Sequence, residues 1–270
     1  MVREHALNNG KILLEKEACL PITNREVQFG FSTYESLRVV KSHPVHLDDH
    51  LIRLEHSCMG IGLSHPFTRE ELKDWVYKLI KVDLLEEASV RILLVGGKEP
   101  QCFITASPLL TYPEDYYTRG VGAITYEGER LMPSCKTGNL LLNYMALEKA
   151  KSSGGFEALL VDRKGQVLEG TRSNFFAFRD GKLYTAKDDE VLLGIARERI
   201  IQAAKVLGIE VIYKAPLAKD LHAGLYDELF VSATSMAAMP IATLDGQAFK
   251  APFDRTNAIK ALVRSWELED

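Results

Sequence analysis

The sequence predicts an α+β protein built as two domains, and three observations carry that expectation. The first half mixes helical stretches bearing one apolar stripe with short β-rich runs, and a polar, aromatic, proline-bearing stretch interrupts the chain at 112–119. The second half strings together short apolar runs separated by turn residues. The expected division is an N-terminal domain over residues 1–113, a linker over 114–119 and a C-terminal domain over 120–270.

Residues 11–20 read as a strand and turn. Residues 29–40 read as a strand whose period-two alternation puts Ser32, Tyr34, Ser36 and Arg38 on one face and Thr33, Leu37 and Val39 on the other. Residues 45–60 carry apolar side chains near i, i+4, i+7 spacing and end at glycine, as a helix does. A second helix is expected over 68–85, opened by Thr68 and Glu71 as a capping box. Residues 89–95 and 102–108, parted by Gly96-Gly97-Lys98-Glu99-Pro100, read as antiparallel strands.

Beyond residue 120 a helix is expected over 139–152. A meander of short antiparallel strands follows at 158–161, 167–169, 175–178 and 183–185, with turns at Asp162-Arg163-Lys164-Gly165 and Arg179-Asp180-Gly181-Lys182. A helix over 195–207 stops at Gly208, strands follow at 210–213, 228–232 and 239–244, and an amphipathic helix over 254–268 closes the chain.

Composition narrows the function. A chain of 270 residues with 46% hydrophobic content can bury a large core, and its net charge of −4 without a Lys/Arg block gives nucleic acid or an anionic membrane little to hold. Small molecules are the expected partners. No run approaches the roughly 18 apolar residues of a membrane span, and the N-terminus is too polar for a signal-peptide core, so a cytoplasmic location is expected. Cys19, Cys58, Cys102 and Cys135 show no C-x-x-C spacing, which points to neither zinc nor a disulfide framework and gives Cys135 a packing role. His43, His46, His50 and His56 fall near one another among mixed neighbours, and no metal is expected there. Walker, G-x-S-x-G and H-E-x-x-H motifs are absent, and Gly120-Val121-Gly122 lacks the rest of a dinucleotide fingerprint.

Three short stretches carry residues suited to chemistry. Lys136 stands among Ser134, Cys135, Thr137 and Gly138 rather than in a charged run, so partial desolvation would lower its pKa and make it a nucleophile and proton shuttle. From spacing alone a surface lysine is the other reading. Glu169 ends a short strand before Gly170, where a solvated acid is the other reading. Gly194-Ile195-Ala196-Arg197 opens a helix whose free amides and dipole favour an anion.

In this order and at these distances, Lys136, Glu169-Gly170-Thr171-Arg172-Ser173-Asn174 and Gly194–Arg197 resemble the fold-type IV (class IV) pyridoxal-phosphate enzymes. These are the branched-chain aminotransferases, D-amino-acid aminotransferases and aminodeoxychorismate lyases. The resemblance spans about residues 24–249, with Asn139–Asn143 and Glu148–Ala150 resembling the helix after the family's lysine.

It implies a two-domain, D-amino-acid-aminotransferase-like fold with the active site at the domain joint, and a homodimer. Such catalysis needs an amine to hold pyridoxal 5′-phosphate, an acid to keep its ring nitrogen protonated and a site for its phosphate. By resemblance these fall to Lys136, to Glu169, and to Arg53 with the amides of Ile195 and Ala196 and with Thr234. Asn174 supports the backbone. The family usually has threonine where this chain has Ala196, so a hydroxyl contact is missing.

Tyr34, Arg38, Arg91 and Ser235 are the implied substrate residues, with Arg38 or Arg91 placed for the distal carboxylate of glutamate and a structural salt bridge the alternative for either arginine. Phe31, Leu37 and Leu93 are the apolar neighbours for a hydrophobic side chain, with a core role the alternative for several of them. The Pro-Arg-x-His stretch of D-amino-acid aminotransferases is replaced by Pro100-Gln101-Cys102-Phe103, and Phe-Gly-Asp-Gly by Phe29-Gly30-Phe31-Ser32. The expected reaction is amino transfer between an amino acid, leaning to branched-chain-type L-substrates, and a 2-oxo acid such as 2-oxoglutarate. A D-amino-acid aminotransferase, an aminodeoxychorismate lyase (faintly echoed in Met239-Pro240) and a cofactor-binding protein without turnover are the alternatives.

Overall fold

The computed structural model describes residues 4–249 and 251–267. The described residues divide into two compact units, one of residues 4–110 together with Cys135–Asn139, the other of Thr111–Ser134 and the described residues from Leu140 to 267.

In the first unit β1 (His5–Asn8) and β2 (Lys11–Leu14) form a hairpin, whose turn residues Asn9 and Gly10 both have positive φ, 48° and 76°. Asn-Gly is suited to that turn because both central positions are left-handed. The chain continues through α1 (Arg25–Gln28), β3 (Ser32–Val40), β4 (His43–Pro44), α2 (Leu47–Gly60), α3 (Arg69–Val82), β5 (Glu87–Val95) and β6 (Gln101–Ser107). The strands make one antiparallel sheet in the order β2-β1-β6-β5-β3-β4.

One face of that sheet packs on α2 and α3 through Leu37, Val39, Val90, Ile92, Ile104, Leu51, Leu54, Val76 and Leu79. The expected alternation on β3 is present, with Glu35 joining Thr33, Leu37 and Val39 on the buried face. Thr68 and Glu71 form the capping box of α3: the Glu71 N–H donates to the Thr68 hydroxyl and the Thr68 N–H to the Glu71 carboxylate.

The second unit holds α4 (Glu114–Arg119), β7 (Val121–Glu127), α5 (Leu141–Ser152), β8 (Glu157–Val161), β9 (Val167–Gly170), β10 (Asn174–Arg179) and β11 (Lys182–Thr185). It continues with α6 (Ile195–Val206), β12 (Val211–Tyr213), α7 (Ala218–His222), β13 (Glu228–Ala233), β14 (Ala237–Leu244), β15 (Gln247–Ala248) and α8 (Asp254–Trp266). The strand order is β12-β11-β10-β13-β14-β7-β8-β9, and β9 pairs back onto β10 through Glu169 and Asn174, so the sheet closes on itself. Phe176, Phe178 and Phe230 pack with α6 and α8 on one side, while Phe175, Val231 and Met239 fill the other.

Several expectations are revised. Residues 114–119, read as a linker, are the helix α4, whose Tyr117 is buried among Val121, Leu229 and Met239; its apolar anchor was hidden in a polar stretch. The hairpins β8–β9 and β10–β11 match the expected meander, but β7 runs parallel to both β8 and β14, and β11 parallel to β12. Such pairings join strands distant in sequence and leave no turn signal. The final helix is seen to Trp266, and its expected end at 268 lies outside the described residues. No helix among the described residues is long and apolar enough to cross a membrane.

Candidate active site

The lysine segment is held by β3. The Tyr34 N–H donates to the Lys136 carbonyl at 3.0 Å, the Gly138 N–H donates to the Ser32 carbonyl at 2.8 Å, and Thr33 faces Thr137 in an antiparallel bridge. From α2, the Ser57 hydroxyl accepts from the Lys136 N–H at 3.0 Å and itself donates to the Arg53 carbonyl at 2.9 Å. Two glycines fit closely here: a Cβ on Gly138 would stand 2.2 Å from the Ser32 Oγ, and one on Gly60 2.3 Å from the Sγ of buried Cys135, so a side chain at either would force its neighbour to turn away.

With its backbone fixed, Lys136 lays its Nζ 4.6 Å from the centroid of the Tyr34 ring, and Arg91 brings its Cζ within 4.1 Å of the same centroid. Each cation gains about 0.5–2 kcal/mol from the ring's negative face. Tyr34, Lys136 and Arg91 are thus brought together. On β3 and β5, Tyr34 is in register with Leu93, Ser36 with Arg91, and Arg38 with Ser89, so Arg38 shares their face, two side-chain positions along from Tyr34. Leu37 does not share it: its side chain is in the core, and a pocket role for it is withdrawn.

Arg53 serves the opposite face of β3. Its Nε and Nη2 donate to the two oxygens of fully buried Glu35 at 2.8 and 2.6 Å, and Glu35 also bonds His50 Nδ1 at 2.7 Å. Burial pushes the Glu35 carboxyl up, but the Arg53 charge, its hydrogen bonds and His50 overcome that and hold it at about 2. Burial pushes the His50 imidazole below its ordinary 6.5 despite Glu35, so His50 is neutral.

In the second unit Glu169 is buried at the end of β9. Its Oε1 accepts from Arg130 Nη1 at 3.2 Å and its Oε2 from the Leu192 N–H at 3.3 Å; Arg130 also donates to the Pro133 carbonyl at 3.0 Å. The corner leading to Asn174 is fixed by Glu157, fully buried, which accepts from the hydroxyls of Thr171 and Ser173 at 2.5 and 2.9 Å. Asn174 then donates from Nδ2 to the Leu192 carbonyl at 2.8 Å, the same oxygen that accepts from the Gly194 N–H at 2.9 Å. A Cβ on Gly194 would stand 2.3 Å from the Asn174 Oδ1.

Residues 192–194 are therefore pinned by Glu169 and Asn174, and they deliver the start of α6. Gly194, its N-cap, has no side chain to cap it, and the amides of Ile195 and Ala196 meet no acceptor among the described residues. Thr234 and Ser235 form the turn between β13 and β14, where the Ser235 carbonyl accepts from Arg264 Nη2 at 2.9 Å. Met239 and Pro240 lie in β14 opposite Val231 and Phe230, as buried core. Among the described residues no group of three His, Cys, Asp or Glu is placed to hold a metal ion.

Sequence reasoning passed over Glu35, Ser57, Arg130 and Glu157. Glu35 alone left a trace, as an acid on the otherwise apolar face of a strand.

Residues 32–244 match the family described as Amino-transferase class IV. A D-alanine aminotransferase of Bacillus licheniformis is 31% identical over 253 residues, spanning 89% of this chain and 88% of its own. A protein named putative branched-chain-amino-acid aminotransferase, of Methanocaldococcus jannaschii, is 31% identical over 256 residues, spanning 88% and 87%. Among solved structures, a branched-chain aminotransferase from Thermoproteus uzoniensis with norvaline is similar at a TM-score of 0.88 and 28% identity, over 98% of this chain and 95% of that one. The chain belongs to the class IV aminotransferases and has their fold-type IV architecture. It is an enzyme of a family that works with pyridoxal 5′-phosphate.

The Glu35 cluster predicts an acid limit for the first unit. Because the folded carboxyl is held at about 2 against an ordinary 4.5, its contribution is fully present above pH 4.5 and is lost as the pH falls toward 2. His50 acts in the same direction, favouring the fold above 6.5 and opposing it once protonated. Glu35→Gln is expected to lower the urea midpoint at pH 7 and to flatten its fall below pH 4.5; parallel curves for variant and wild type would refute the assignment.

Proposed function

We propose that this enzyme moves an amino group between an amino acid and a 2-oxo acid such as 2-oxoglutarate, using pyridoxal 5′-phosphate held by Lys136. The observation that carries the reading is one aromatic ring, Tyr34, flanked by the Lys136 amine and the Arg91 guanidinium. The donor set fits the cofactor: a backbone-anchored amine, a buried carboxylate held by Arg130, and a 12-residue helix whose first amides lack acceptors. When bound, the cofactor supplies an electron sink for negative charge at the substrate α-carbon.

Lys136 holds the cofactor and then moves the proton at that carbon. Glu169 holds the proton on the ring nitrogen, and Arg130 pairs with the carboxylate and aims it. The Ile195 and Ala196 amides, Arg53 and Thr234 take the phosphate, the amides standing in for the hydroxyl that Ala196 lacks. Tyr34 and Ser235 take the α-carboxylate, Arg91 or Arg38 the distal carboxylate of the acceptor, and Leu93 an apolar side chain, Phe31 like Leu37 being packed on the core. The lean remains toward branched-chain-type L-substrates. D-Alanine is the second reading, favoured by the B. licheniformis relative. Met239-Pro240 lends the lyase no support, being core.

The active form is taken as a cytoplasmic homodimer. Exposed Leu141, Tyr144 and Met145 on α5 support the dimer, and Cys58, Cys102 and Cys135, buried free thiols, support a reducing compartment.

Lys136→Ala is expected to abolish the cofactor's visible absorbance band and to lower turnover by about 10²- to 10⁴-fold or more. Glu169→Gln is expected to retain the cofactor and lose at least about tenfold in kcat, since a neutral amide does not stabilise the protonated ring; a smaller loss refutes its role. Borohydride reduction that fixes the cofactor on another lysine refutes that of Lys136.

Single half-reactions test the substrate. L-Leucine and L-glutamate are expected to bleach the visible band. Bleaching by D-alanine alone assigns the enzyme to D-amino acids, and pyruvate release from aminodeoxychorismate without bleaching by any amino acid assigns it to the lyases. Light scattering of the active enzyme is expected to return twice the chain mass of 30.2 kDa, and a fully active monomer refutes the dimer.

A further inference from the structure

A cavity of about 240 Å³ opens in the second unit. Its walls come from the end of β10 (Arg179, Asp180), from β11 (Tyr184), from the chain after β12 (Lys214), from α7 (Asp220) and from the approach to β13 (Tyr226). None of these residues has a part in the amino-transfer site proposed above.

The Tyr184 and Tyr226 rings meet edge to face, centroids 5.6 Å apart at 89°, and Arg179 sets its Cζ 5.9 Å from the Tyr226 centroid. Burial raises the Tyr226 hydroxyl above its ordinary 10, so it stays a neutral donor. Arg179 is already paired with Asp180 at 3.4 Å. That leaves the Lys214 ammonium and the Asp220 carboxylate, which make no hydrogen bond or ion pair among the described residues, Asp220 acting on Tyr226 through its charge alone.

We propose that this cavity is a binding site for a zwitterionic α-amino acid with an apolar or aromatic side chain. Lys214 receives the α-carboxylate, Asp220 the α-ammonium, and the two tyrosine rings the side chain. Balance of charge selects the ligand class. Two cations facing two carboxylates oppose a phosphate or a dicarboxylate, each of which would bring excess negative charge to Asp180 and Asp220. A ligand carrying one charge of each sign satisfies both unpaired groups. The volume lies below the roughly 300–1,000 Å³ of pockets for drug-sized molecules, which suits a small metabolite.

The test uses the cofactor-loaded enzyme and α-methyl-L-phenylalanine, which keeps both charged groups but has no α-hydrogen to lose and so is not transaminated. Isothermal titration is expected to show binding that Lys214→Glu and Asp220→Asn each weaken by at least about tenfold, the effect of one charge-assisted contact. The response of the visible band to the same compound is expected to be unchanged in both variants. Lys214 is exposed, so its replacement leaves the fold intact. Wild-type affinity in both variants overturns the proposal, as does binding that only follows the visible band. Competition by inorganic phosphate or benzoate as strong as by the amino acid also overturns it, since it would mark a simple anion cleft. Failure of the amino-transfer reading would show as a missing visible band and would leave the Lys214 and Asp220 dependence in place.

Discussion

The hydrogen bond from the Tyr34 N–H to the Lys136 carbonyl is the constraint on which the lysine's placement rests. Lys136 lies outside any helix or strand, and ordering a free loop costs about 1–2 kcal/mol per residue in backbone entropy. Pairing residues 136–138 with the start of β3 offsets that cost with bonds a strand edge would otherwise leave open. The second anchor, Ser57, depends on where α2 sits, and α2 is tied to β3 by the fork from Arg53 to Glu35. A buried ion pair of this kind adds little net stability, because desolvation opposes the attraction. What it supplies is register: with Arg53 locked on Glu35, Ser57 one turn later meets the Lys136 N–H.

The second unit solves a related problem with a carboxylate. Glu169 is a carboxyl group in a site water barely reaches, which is unfavourable unless each oxygen is satisfied. Arg130 and the Leu192 amide do so, and the Leu192 contact has a further effect. The Leu192 carbonyl, held by Asn174 and by the Gly194 amide, sets the direction in which α6 begins. The acid and the helix N-terminus are therefore coupled through three residues of backbone. Gly194 has to be glycine because the Asn174 side chain occupies the space a Cβ would need.

Local signals account for what the sequence disclosed. Capping residues, the alternation of β3 and Gly208 marked element ends because each acts within a few positions of chain. The candidate groups Lys136, Glu169 and Gly194 emerged only because their order and distances resemble those of the class IV enzymes. Glu35 with Arg53, and Arg130 with Glu169, did not, since those partners are 18 and 39 residues apart and only the folded chain makes them neighbours. The parallel neighbours of β7 escaped for the same reason, and Tyr117 shows how one buried ring turns a polar stretch from linker to helix.

The proposed reaction would ask the face of the sheet bearing Tyr34 to meet both an apolar side chain and a carboxylate. Arg91 and Arg38 each stand opposite a serine, Ser36 and Ser89, so neither is wedged by a bulky cross-strand partner. Arg91 is exposed and rests on the Tyr34 ring, which offsets part of its charge without a carboxylate. In the proposed reaction an apolar substrate would leave it there, beside Leu93, with no unpaired charge forced into the dry part of the pocket. A dicarboxylate acceptor would instead draw the guanidinium into a bidentate pair, exchanging a weak ring contact for a stronger ionic one. A lysine in its place would lack the planar fork, so under the proposed reading arginine at this position would let a single wall serve both halves of an amino transfer.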